Sequence, residues 1–226
     1  MGEGKVNELL RYMAARVYEE RPELPERFRT MYRLERVNGG MLCDVWFLSR
    51  GCAHDARGGC VMCNYGKGGA GGHQEEILFQ IRRMTERFQG EFEDFLLTSS
   101  GSLLDDWENP PDFREALFQA VETVKMKRFV VETRADTVTR EKLRCFDRLK
   151  QRAECYIELG LETGNDWILK HCVNKGMTVE DFRRAAALIH QEGLRVTANV
   201  GVGIPFLQER ASVEAAVNTV KNALSW

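Results

Sequence analysis

Three features of the 226-residue sequence predict an α/β protein, with a parallel sheet covered by helices. Short apolar runs alternate five times with amphipathic stretches, after an N-terminal helical stretch. The runs lack strict polar alternation, as expected of strands buried on both faces. A Gly-rich loop carrying cysteines follows the first run directly, where parallel-sheet enzymes place their chemistry.

The elements follow in order. Val6, Leu9, Leu10, Met13 and Val17 fall at helical spacing and predict a helix over 5–20, broken by Pro22 and Pro25. Cys43 to Leu48 reads as the first strand, and Gly51 to Gly72 as a functional loop. Helices are expected over Gln74–Phe88, Pro111–Val124, Arg140–Leu149, Thr178–Gln191 and Ser212–Leu224. Strands are expected over Phe95–Thr98, Phe129–Glu132, Cys155–Leu161 and Val196–Val202. Thr178 and Asp181 are spaced as a capping pair, and Gly193 is placed as a stop. Periodicity fits a closed barrel and an open doubly wound sheet equally.

Composition narrows the function. A net charge of −2 gives no global field toward nucleic acid or an anionic membrane. The N-terminal arginines Arg11, Arg16, Arg21, Arg27, Arg29, Arg33 and Arg36 alternate with glutamates, which reads as a solvated helical face. No apolar run reaches the roughly 20 residues of a membrane span, and no signal-peptide core opens the chain. A cytoplasmic location is therefore expected. Seven cysteines, three of them tightly clustered, suggest metal or redox chemistry rather than a disulfide framework.

The cluster is Cys52, seven residues, Cys60, two residues, Cys63. Three thiolates are one short of a closed zinc or iron–sulfur site, which would leave one iron of a four-iron cluster open. A zinc site with His54 or His73 as fourth ligand is the rival reading. Cys43, Cys145, Cys155 and Cys172 lack metal spacing and read as small hydrophobes.

With these residues in view, the chain resembles the radical S-adenosylmethionine (SAM) superfamily. The usual spacing there is Cys-x3-Cys-x2-Cys, and the longer first gap resembles a subgroup containing the radical domain of the Elongator catalytic subunit. Within it, the chain looks like the radical subunit of archaeosine synthase and its uncharacterised bacterial relatives. Thr98–Asp106, Val131–Arg134, Gly160–Thr163, Asn174–Phe182 and Gly203–Glu209 each resemble a segment of that group, in the same order.

The resemblance implies a partial (β/α)6-type barrel, a 4Fe-4S cluster on Cys52, Cys60 and Cys63, and S-adenosyl-L-methionine chelating the open iron. It implies reductive cleavage of that cofactor to a 5′-deoxyadenosyl radical, which takes hydrogen from a substrate. Met62 and Tyr65 would lie near the adenine. Ser100, Gly101 and Ser102 would bind the methionyl amino group, and Glu162 the ribose or methionyl group. Arg134 would fork the cofactor carboxylate or face the substrate. Gly201 and Gly203 would let backbone approach the adenine. The electron donor would be flavodoxin- or ferredoxin-like, and the substrate a small molecule or a modified tRNA base.

Two domains are expected: residues 1–40 as an N-terminal helical extension and 41–226 as the radical core. The core is expected to lack its final strand and C-terminal region, which a partner or a further segment would complete. A non-catalytic zinc or iron–sulfur module docking on a partner is the alternative function.

Overall fold

The computed structural model describes residues 8–10, 12, 13, 16, 29–63, 65 and 73–226. Of the expected N-terminal helix, 8–10, 12, 13 and 16 are helical, and the remainder lies outside the described residues.

A six-stranded sheet organises the chain, with its strands in sequence order. They are β1 (Thr30–Val37), β2 (Gly40–Phe47), β3 (Asp94–Ser99), β4 (Arg128–Thr133), β5 (Glu154–Glu162) and β6 (Arg195–Val200). β1 pairs antiparallel with β2, from Thr30↔Phe47 to Val37↔Gly40, and every later pair is parallel. The hairpin turns on Asn38 and Gly39, at φ 50° and 86°, the left-handed pair that two-residue hairpins favour.

β1 corrects the expected helical extension. Its Arg33, Glu35 and Arg36 belong to an exposed edge strand, where charges block further pairing. Arg33 instead bonds Asp44 of β2 at 2.9 Å.

The five expected strand–helix units are present. The helices are α1 (Gln74–Arg87), α2 (Pro111–Val121), α3 (Arg140–Leu143), α4 (Asp166–Ile168), α5 (Val179–Gln191) and α6 (Glu209–Ala223). α2 begins on its proline, and the Thr178–Asp181 capping box opens α5. Two details differ from expectation. The helix sought over Arg140–Leu149 is one turn followed by 3-10 turns. α4, which runs into a π-turn at Leu169–Val173, was not anticipated.

Parallel strands in sequence order, joined by crossovers of the one hand that strand twist favours, put the helices on one face of the sheet. Cys43, Val45, Phe47, Phe95, Leu97, Phe129, Val131, Ile157 and Leu159 point to that face and are fully or almost fully buried. Phe129 stacks on Phe95 with centroids 6.1 Å apart and takes Phe118 edge-on at 5.7 Å. Each such ring contributes about 1.5–3 kcal/mol by burial. The opposite face carries Asp44, Trp46, Glu132, Tyr156 and Glu158, all partly exposed. Only one face is sealed, which corrects the expected burial of both, and the six strands form a partial barrel whose other face stays open.

Candidate functional site

The cysteine loop leaves the C-terminal end of β2. Gly51 takes φ 91° and Gly58 φ 84°, which returns the chain around a 3-10 turn at Asp55–Arg57. A Cβ on Gly59 would come within 2.5 Å of Asp55 Cα, so only glycine closes this turn. Cys52, Cys60 and Cys63 are all partly exposed. Cys63 N–H donates to the Cys60 carbonyl at 3.2 Å, and the three thiols act on one another electrostatically.

Burial pushes the Cys60 thiol up to about 12 and raises Cys52 and Cys63 as well. Two cations oppose this: Lys175 beside Cys60 and Arg134 beside Cys52. Such partners suit thiols that become thiolates on metal binding.

Two distant segments hold the loop. On the Cys60 side, Asn174 sits in the left-handed region at φ 56°. Its Nδ2 donates to the carbonyls of Gly58 and Gly59 at 2.8 and 3.0 Å. His54 Nε2 donates to the Asn174 carbonyl at 2.7 Å. A Cβ on Gly176 would strike the His54 ring at 2.4 Å. On the Cys52 side, Glu108 accepts from Ala53 N–H at 2.8 Å and also from Ser102 N–H and Arg134 Nη1.

The expected ligand-facing residues divide. Ser100 is 1% exposed, and its Oγ accepts from Ser49 N–H. Ser102 is fully buried, with its Oγ bonded to Thr133 and Thr137. Both hydroxyls thus bond within the scaffold, and Gly101 between them stays partly exposed. Arg134 donates to Glu108, to Asp105 at 2.7 Å and to Asp136 at 3.1 Å. Its guanidinium is thus paired with three carboxylates of this chain. Met62 and Tyr65 are both 43% exposed at the loop.

Glu162 ends β5 at φ 63°, beside a bulge between Gly160 and Glu162. Strain of this kind in a non-glycine residue gathers at functional sites. Its backbone carbonyl accepts from Gly201 N–H at 2.8 Å. Gly203, at φ 81°, donates to Ser212 Oγ at 2.8 Å. On the open face, burial and then Glu158 and Asp44 push the Glu132 carboxyl up to about 7.

Both histidines offered as a fourth zinc ligand have partners of their own. His54 is held by Asn174, and His73 accepts from Arg29 at 2.9 Å. Among the described residues, no three His, Cys, Asp or Glu side chains converge as a single ion requires. A cluster asks instead for neighbouring thiols, one to each iron.

Residues 46–216 match the Radical SAM superfamily. The chain belongs to that superfamily. It is 31% identical over 185 residues to archaeosine synthase subunit beta of Methanosarcina acetivorans, covering 79% of this chain and 53% of that protein. The Thermococcus kodakarensis protein of the same name is 30% identical over 169 residues, covering 73% and 52%. Protein YhcC of Escherichia coli K12 is 27% identical over 157 residues, covering 66% and 48%. The chain thus spans about half the length of these curated relatives. Among solved structures, it resembles the cobalamin-dependent S-adenosylmethionine radical enzyme OxsB with aqua-cobalamin and S-adenosylmethionine bound. The TM-score is 0.50 at 17% identity, over 76% of this chain and 25% of that one, a likeness of fold. No helix among the described residues of this radical SAM chain is long and apolar enough to cross a membrane.

Proposed function

We propose that the chain is the catalytic core of a radical SAM enzyme, with Cys52, Cys60 and Cys63 each holding one iron of a 4Fe-4S cluster. The observation that carries this reading is the group of three thiols at the end of β2, flanked by the cations Lys175 and Arg134. Bound there, the cluster and S-adenosyl-L-methionine would supply one electron and a 5′-deoxyadenosyl radical.

The chain's own residues would position the cofactor. Glu162, strained into the mouth of the sheet, accepts hydrogen bonds from ribose hydroxyls or the methionyl ammonium. Gly101 offers its partly exposed backbone to the same group. Met62 and Tyr65 supply apolar surface for the adenine, and Gly201 and Gly203 let the backbone after β6 approach it. The open face of the sheet receives the substrate, which is a small molecule or a modified tRNA base. The two relatives named archaeosine synthase subunit beta favour the tRNA base and a partner subunit. A flavodoxin- or ferredoxin-like donor supplies the electron.

The test is anaerobic reconstitution with iron and sulfide, reduction, and addition of S-adenosylmethionine, with 5′-deoxyadenosine as readout. Product from the wild type and none from Cys60→Ala supports the reading. Tightly bound zinc with no labile sulfide overturns it.

A further inference from the structure

The radical chemistry proposed above leaves Glu108 without a role, yet its side chain is 0% exposed and lies against the cluster loop. Burying a carboxylate is costly unless every oxygen is paired. One oxygen accepts from Ala53 N–H at 2.8 Å and from Arg134 Nη1. The other accepts from Ser102 N–H. A Cβ on Gly101 would strike Glu108 Oε2 at 2.1 Å and approach Cys52 Cα at 3.1 Å. The glycine thus lets the carboxylate touch both segments at once. Arg134, fixed by Glu108 and by Asp105 at 2.7 Å, points Nη1 at Cys52 Sγ from 3.5 Å.

We propose that Glu108 is a positioning residue that ties the Cys52 side of the loop to the Ser100–Ser102 turn, and that the Arg134 it holds donates to the Cys52 thiolate. The proposal rests on the reading that Cys52 is a cluster ligand. Hydrogen bonds to ligand sulfur and nearby charge tune an iron–sulfur potential. Reduction adds negative charge, so a fixed anion beside Cys52 disfavours it and a fixed cation favours it.

The experiment is an EPR-monitored redox titration of the reconstituted full chain, comparing wild type with Glu108→Gln and Arg134→Gln. The expected result is a positive shift of midpoint potential for Glu108→Gln and a negative shift for Arg134→Gln. A purely structural role would lower cluster content in both without shifts of opposite sign, and that result, or unchanged midpoints, overturns the proposal. If Glu108→Gln fails to fold, Asp105→Asn takes its place, with a positive shift expected and no shift overturning the idea. Cluster-free protein gives a second readout, the alkylation rate of Cys52 by peptide mass spectrometry. Severalfold faster labelling in Glu108→Gln is expected, and an unchanged rate overturns the tie. A wild type that takes up no cluster overturns the radical reading instead, and the alkylation result still decides the role of Glu108.

Discussion

Lys175 Nζ lies 2.8 Å from Glu162 Oε1, and a Cβ on Gly160 would come within 2.7 Å of that ammonium. The pair is 11% and 15% exposed. Burial pulls the Lys175 ammonium down, but Cys60 and Glu162 outweigh it and hold it above its ordinary range. Removing one partner strands a buried charge. Lys175→Met should therefore cost roughly 3–5 kcal/mol in urea unfolding. The double variant Lys175→Met/Glu162→Gln should recover much of that loss, because no lone charge remains.

Glu162→Gln keeps an acceptor but loses the charge. The expected outcome is a roughly tenfold weaker affinity for S-adenosylmethionine by calorimetry, with iron content unchanged. Unchanged affinity would remove Glu162 from the proposed cofactor site.

Gly176→Ala meets two penalties, a φ of +73° and the His54 ring. It should destabilise the fold by about 1–3 kcal/mol in urea unfolding. His54→Ala/Gly176→Ala removes the clash but keeps the backbone strain, so the two changes should couple favourably. Simple additivity would mean that the ring does not rest on this glycine.

Glu132 gives a pH signature. Its folded pKa of about 7 stands above its ordinary 4.5, with burial the main cause. Between those values the folded state holds a proton that the unfolded state has lost, so stability falls as pH rises. The effect is complete above about pH 7 and amounts to at most about 3 kcal/mol. Melting temperature should decline over that window in wild type and stay flatter in Glu132→Gln. Equal slopes would show that the carboxyl titrates normally.

Much of the fold was legible because its signals are local. Short apolar runs gave all five parallel strands, and the Thr178–Asp181 spacing gave a cap that forms as read. β1 was not legible, since Arg33, Glu35 and Arg36 suit a solvated helix as well as an edge strand, although Asn38-Gly39 was a hairpin signal. Within the site, the cysteine spacing stood out. Glu108 did not, because it sits between Trp107 and Asn109 in no recognisable pattern and acts only through groups far along the chain. Ser100 and Ser102 showed the reverse. A hydroxyl's sequence position does not say whether it turns toward a ligand or, as here, toward Ser49 and Thr133.

The two-sided hold on the cysteine loop also bears on the order of assembly. Ala53 meets Glu108 across 55 positions, and Asn174 meets Gly58 across 116. Contacts so distant in sequence form only once β2 to β5 have come together. The loop proposed to hold the cluster is therefore expected to form late in folding, unlike a zinc finger, whose metal nucleates its own domain. Stripping iron with a chelator should leave far-ultraviolet circular dichroism intact, and the emptied loop should accept a cluster again without refolding.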